Sequence, residues 1–279
     1  MSERGQASRG PASVAWISDI GPRDENQDRA TAHLSDDGSW LVAVADGLGG
    51  HPRGAEAASA AIEALLERIA GFAELWSAFG EANRRVADLA PPHFYETASR
   101  ITRAPASTLC VAAWTPEDGL LVGVTGDTLP VLLWSEGGSW HGRLLCSPDR
   151  SQGDFGYLTR HLGQSGGWRD EPLNTEFDPM QWLAGADLEP PDMADTMAVA
   201  ILSDGVWEAL IRELHSDEPA PASVLSEVIA GCLDPGDDSA EAVAERIMNA
   251  AREAVLDDNG TIAVAHVAVA EPTSKPSDA

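Results

Sequence analysis

Short apolar runs, each closed by glycine, proline or aspartate, occupy the first third of the chain. Residues 13–20 and 39–45 read as strands. The second contains Leu41-Val42-Ala43-Val44-Ala45, an unbroken buried run that stops at Asp46. Residues 28–34 fit a strand between them. The period then changes. Ala55 to Ile69 is rich in Ala, Leu and Glu, with apolar residues at Ala58, Ile62, Leu65, Leu66 and Ile69, the spacing of a helix with one buried face. A second helix is predicted over 73–89. It stops at Pro91-Pro92, because proline cannot extend the helical hydrogen-bond ladder.

Strand patterns return after Pro105. Thr108 to Trp114, Leu120 to Thr125, Pro130 to Trp134 and Trp140 to Cys146 are separated by turn signals such as Glu117-Asp118-Gly119 and Gly137-Gly138, and together they read as an antiparallel meander. Residues 147–195 break the pattern with Gly, Pro and Asp, and read as a mobile insertion with one short helix near Phe155 to Leu162. A strand from Met197 to Leu202, helices at 221–232 and 238–255, and a strand from Thr261 to Val269 complete the series. Two sheets flanked by helix pairs account for this order, whereas a doubly wound sheet needs a steadier β-α-β alternation. Residues 1–12 read as a disordered polar tail with no apolar core of a signal peptide. Residues 13–270 form one domain, and the Pro/Ser-rich 271–279 is a second disordered tail.

The 279 residues, 43% of them hydrophobic, suffice for a sizeable core. The formal charge of −27 makes nucleic acid and anionic lipid poor partners. It reads chiefly as a solubility device, with attraction of cations or basic peptide segments as the lesser reading. Cys110, Cys146 and Cys232 show neither paired nor zinc-like spacing, which suits a reducing cytoplasm. No apolar run approaches a membrane span.

The candidate chemistry is carried by acidic turns. Asn26-Gln27-Asp28, Asp46-Gly47-Leu48-Gly49-Gly50-His51, Ser203-Asp204-Gly205-Val206 and Asp258-Asn259-Gly260-Thr261 each set a carboxylate beside a tight turn or strand end. Singly, each fits an ordinary turn. Together they fit the oxygen ligands of a two-metal site, and a cage without His or Cys selects hard cations such as Mg²⁺ or Mn²⁺. Gly47 would let its own carbonyl approach a cation. Asp204 ends a fully apolar strand, where a carboxylate is costly unless paired or metal-bound. Arg23 fits a phosphate fork or a solvated loop residue paired with Asp24 or Glu25. Asp127, in Gly126-Asp127-Thr128, fits a hairpin turn, the commoner use, or a further, weaker metal position. His51 reads as structural. There is no Walker A lysine loop, no Gly-x-Ser-x-Gly elbow and no Cys-x5-Arg loop.

With these residues the chain resembles the metal-dependent protein phosphatases of the protein phosphatase 2C type, particularly the compact bacterial ones. The resemblance also takes in Gly21-Pro22-Arg23, Ser107-Thr108-Leu109, Leu158-Thr159-Arg160-His161-Leu162-Gly163 and Trp207, in the family's order. It implies an α+β fold: a four-layer α-β-β-α sandwich of two antiparallel sheets flanked by helix pairs, with the site at one end. It implies that Asp46, the Gly47 carbonyl, Asp204 and Asp258 hold two Mn²⁺ or Mg²⁺ ions, with Asp28 beside the ions' waters. Asp127 with Asp204 would hold a third ion, Arg23 would bind the substrate phosphate, and residues 147–195 would be a substrate-selecting flap. The implied activity is hydrolysis of phosphoserine and phosphothreonine in proteins by metal-activated water. The implied partner is a Ser/Thr kinase or its targets, and the chain would act as a monomer. The chain departs from the family pattern at Gln27, at Thr128-Leu129 and at Asp149-Arg150-Ser151. The alternative is a phosphoprotein-binding pseudophosphatase.

Overall fold

The computed structural model describes residues 2–68, 75–92, 103–150, 158, 160–163, 181–184, 194–212, 222–236 and 239–268. The chain begins with β1 (Ser2–Arg9), β2 (Ala12–Asp19), β3 (Asp28–Leu34) and β4 (Trp40–Asp46), followed by α1 (Gly54–Arg68) and α2 (Leu75–Asp88). It continues through β5 (Leu109–Thr115), β6 (Gly119–Thr125), β7 (Leu129–Glu136), β8 (Ser139–Leu144), β9 (Gln181–Ala184) and β10 (Thr196–Leu202). Helices α3 (Asp204–Arg212), α4 (Ala222–Gly231) and α5 (Ala240–Glu253) precede the last strand, β11 (Gly260–Ala268). One sheet runs β1-β2-β11-β10-β7-β8 and the other β3-β4-β5-β6-β9, with every pairing antiparallel.

The unbroken run in β4 is explained by burial on both faces. Successive strand residues point to opposite sides. Val42 and Val44 enter the core between the sheets, where Cys110, Val122, Leu132, Val199 and Ile201 also pack. Leu41, Ala43 and Ala45 face α1 and α2, against Ala57, Leu65 and Phe79. On the other side, Leu133, Ala200 and Val264 pack on Val206, Ile229 and Ile247 of α3, α4 and α5. Three apolar interfaces thus separate four layers, as expected. Helix α5 starts at Ser239, whose Oγ accepts from the Ala242 amide at 3.2 Å and satisfies one free N–H of the first turn.

Four expectations are corrected. Residues 2–9 form a strand rather than a disordered tail, paired with β2 from Ser2↔Asp19 to Arg9↔Ala12. Its side chains are mostly exposed, so backbone hydrogen bonding holds it and no apolar period marks it; its charges suit a sheet edge. The expected meander is split. β5 and β6 pair in one sheet, β7 and β8 in the other, and the chain changes sheet across Gly126-Asp127-Thr128. Asp127 therefore lies on a crossover and not in a hairpin. Leu158 and Leu162 sit in isolated β-bridges, to Arg150 and Ser107, where a short helix was predicted. Two elements were not anticipated: β9, which adds to β6 from within the insertion, and α3, which begins directly at Asp204. The signal for α3 was present in Val206, Ala209 and Leu210, all buried on one helical face, but Gly205 masked it. Residues 151–157, 159, 164–180 and 185–193 of the insertion and the 271–279 tail lie outside the described residues.

Candidate active site

The strand registers place every predicted ligand at one end of the sandwich. Asp28, the first residue of β3, stands opposite Asp46, the last of β4. The start of β5 and end of β6 meet at Leu109↔Thr125, which brings the crossover carrying Asp127 to the same end. Leu202, preceding Ser203-Asp204, pairs with both Ile262 and Leu129. Asp258 lies two residues before the start of β11.

Asp46 is held through its backbone. Its amide donates to Thr108 Oγ1 at 3.0 Å, and its carbonyl accepts from the Thr108 amide at 2.8 Å and from Ser107 Oγ at 3.0 Å. That is the physical role of Ser107-Thr108, which the sequence displayed without explaining. Gly47 follows. A Cβ there would lie 2.2 Å from the Gly54 carbonyl oxygen, so only glycine lets the turn close onto α1. At the opposite corner a Cβ on Gly205 would lie 2.0 Å from the Asn259 carbonyl oxygen, which fixes how closely the Asp204 turn approaches the Asp258 turn. Asn259 ties that turn to the loop before β3. Its Oδ1 accepts from the Gln27 amide at 2.8 Å, and its Nδ2 donates to the carbonyls of Ile20 at 2.8 Å and Glu25 at 3.0 Å.

The electrostatics are those of carboxylates crowded without enough cations. Asp28 is 2% exposed, and among the described residues neither of its carboxylate oxygens has a hydrogen-bond partner. Burial pushes its pKa up to about 6, against the pull of the Thr261 and Ser203 hydroxyls and the Asp46 carboxyl and with a further push from the Asp258 charge. Burial and then the charges of Asp28, Asp204 and Asp127 drive Asp46 well above the carboxylate range. Asp204 is pushed up to about 8, by burial first and then by Asp127 and Glu208, despite Arg150. Buried oxygen donors of one sign, one pair of them orphaned, fit a hard cation. Among the described residues, no three His, Cys, Asp or Glu side chains are grouped so that they could hold a metal ion by themselves. An ion at this place would need a backbone carbonyl and water to complete its shell.

Arginines stand where the sequence did not place them. Arg23 donates through Nη2 to Asp258 Oδ2 at 2.6 Å and through Nε to the Asp257 carbonyl at 3.3 Å, with half of its side chain exposed. It does not line the cleft of about 480 Å³ formed by Asp46, Gly47, Asp127, Asp204 and Asp258; Arg103 and Arg150 do. Arg150 spans Asp127, Asp204 and Glu208. Burial works against its charge, but Asp127 and Glu208 outweigh that and raise its pKa. The only sequence signal for Arg150 was its departure from the family pattern.

His51 also lines the cleft. Its Nδ1–H donates to the Ala104 carbonyl at 2.7 Å, and its ring lies edge-on to His161 at 6.1 Å between centroids. Cysteine chemistry has no foothold: all three thiols are free, Cys146 is pushed up to about 12 by burial, and the fully buried Cys110 is raised well above the usual thiol range.

The sequence profile of protein phosphatase 2C matches residues 20–230. The chain belongs to the protein phosphatase 2C family. The structure is similar to that of MsPP, a PPM Ser-Thr phosphatase from Mycobacterium smegmatis crystallised with cacodylate, with a TM-score of 0.61 at 23% identity, over 90% of this chain and 97% of that one. The Mycobacterium tuberculosis serine/threonine phosphatase PstP/Ppp gives 0.60 at 21% identity over 92% and 99%, and PppA of Pseudomonas aeruginosa gives 0.62 at 20% over 95% and 100%. Likeness at these identities shows a shared fold. No curated protein sequence matches the chain. Among the described residues no helix is long and apolar enough to cross a membrane. The protein phosphatase 2C family is one of protein serine/threonine phosphatases, so membership and fold both bear out the resemblance.

Proposed function

We propose that this protein phosphatase 2C member hydrolyses phosphoserine and phosphothreonine in proteins, using two divalent cations held by Asp46, the Gly47 carbonyl, Asp204 and Asp258. The observation that carries the reading is the meeting of these groups in one cleft, beside a buried Asp28, paired across the strands with Asp46, whose carboxylate oxygens have no hydrogen-bond partner among the described residues. When bound, two Mn²⁺ or Mg²⁺ ions lower the pKa of water and polarise a phosphoryl group. The protein's own contribution is positional. Thr108 and Ser107 fix the Asp46 backbone, Asn259 fixes the spacing of the Asp258 and Asp28 loops, and Asp28 supplies negative charge under the cleft floor. Arg23 lies at the rim, where release from Asp258 would free its guanidinium for a phosphate oxygen. The free cysteines suit action in the cytoplasm. We infer that the substrates are those of a Ser/Thr kinase, and that the chain acts as a monomer.

Hydrolysis of a phosphothreonine peptide, followed by phosphate release with EDTA, Mg²⁺ or Mn²⁺ beside an Asp204→Asn control, tests the reading. The expected result is turnover that requires the cation and disappears in the control. Folded protein that hydrolyses nothing with either cation overturns it, in favour of a phosphoprotein-binding protein of the same fold.

A further inference from the structure

The corner of the cleft between Asp127 and Asp204 is filled by a side chain. Arg150 Nε donates to Asp127 Oδ2 at 2.7 Å, and Nη2 lies 2.6 Å from the same oxygen. Nη2 also reaches Asp204 Oδ2 at 3.1 Å, and Nη1 reaches Glu208 Oε1 at 2.5 Å. The guanidinium carbon lies 4.9 Å from the centre of the Trp207 ring, which supports the fork from one face. The indole Nε1–H in turn donates to the Asp127 carbonyl at 2.9 Å, so the same residue braces both the acid and its cation.

The backbone delivering Arg150 is tied to the crossover carrying Asp127. The Asp149 amide donates to the Gly126 carbonyl at 3.0 Å, and the Gly126 amide donates to Asp149 Oδ2 at 3.2 Å. Asp127 is only 2% exposed and, among the described residues, takes its charge-assisted bonds from this one side chain. A divalent ion between Asp127 and Asp204 would compete with Arg150 for the Oδ2 atom of each, and it would sit against a fixed positive charge. The residues at this corner therefore do not fit the third ion that the resemblance implied.

We propose that the Arg150 guanidinium occupies the place of a third cation between Asp127 and Asp204, so that this chain binds two divalent ions instead of three. Arg150 is then a positioning residue. It neutralises Asp127 and steadies one oxygen of Asp204 at every cation concentration, and a fixed, delocalised single charge replaces an exchangeable double one. The inference rests on the metallophosphatase reading and is separable from it by counting ions.

The experiment is equilibrium dialysis against Mn²⁺ from micromolar to several millimolar, with bound manganese counted per chain, on the wild type, Arg150→Ala and Asp127→Asn, each checked for folding by circular dichroism. The expected wild-type count saturates at two, and Asp127→Asn leaves it at two. Arg150→Ala gains a third, weaker site, and Arg150→Lys, which restores the charge, loses it again. A wild type that binds three ions and falls to two in Asp127→Asn overturns the inference, even if Arg150→Ala does not fold. A folded Arg150→Ala that still stops at two also overturns it. A wild type that binds no manganese overturns the metallophosphatase reading itself, and the inference with it.

Discussion

Asp28 and Asp46 face each other across the β3–β4 pair, both at the cleft end of their sheet, and among the described residues Asp28 has no hydrogen-bond partner for either carboxylate oxygen. Such a pair is a strain in the metal-free protein and an asset once a cation is present. Asp28→Asn is expected to raise the stability of the metal-free protein at pH 8 by up to about 3 kcal/mol, the linkage equivalent of its displaced titration. The same change is expected to weaken Mn²⁺ binding or turnover by ~10–100-fold. Urea unfolding in EDTA beside a Mn²⁺ titration checks both. Lower metal-free stability with unchanged Mn²⁺ affinity would remove Asp28 from the site.

The pH dependence has a definite sign. Asp28 and Asp204 hold protons more tightly when folded, titrating near 6 and 8, than when unfolded, near 3.8. Their contribution to metal-free stability is therefore largest below about 4 and is lost as pH rises through about 6 and then about 8. Cations replace the lost protons. Melting temperature in EDTA should fall between pH 5.5 and 8, and the rise produced by Mn²⁺ should be larger at pH 8. A flat or rising melting temperature in EDTA over that interval contradicts this account.

Arg23 is half exposed and its partner Asp258 more than a third exposed, so their ion pair contributes only about 0–1 kcal/mol to stability. Arg23→Ala should leave the unfolding midpoint almost unchanged and raise KM for a phosphopeptide several-fold, with a smaller effect on kcat. Steady-state kinetics decide the matter: an unchanged KM excludes Arg23 from phosphate binding.

Gly205 is where two ligand-bearing turns touch. Its missing Cβ would lie 2.0 Å from the Asn259 carbonyl oxygen, a backbone atom that cannot swing aside. Gly205→Ala should cost about 1–3 kcal/mol of stability through overpacking and should also weaken Mn²⁺ binding, since the Asp204 and Asp258 turns must part. A variant with wild-type urea midpoint and wild-type Mn²⁺ affinity would show that the two turns have slack.

Much of this was legible along the chain, because it depends on local period and local turn chemistry. The double-faced run of β4, the alanine-rich period of α1 and the acidic turns at Asp46, Asp204 and Asp258 are properties of neighbouring residues, and the sequence by itself determined them. It could not determine pairing. Strand periodicity carries no information about partners, so the break between β6 and β7 at Gly126-Asp127-Thr128 was invisible, as was the pairing of the polar β1 with β2. Only the tertiary structure decided that Arg23 would rest on Asp258, that Arg150 would reach across to Asp127, Asp204 and Glu208, and that Asp28 would be buried without a partner. The physical reason is that charge–charge and hydrogen-bond contacts act across space, between residues 23 to more than 200 positions apart in the chain.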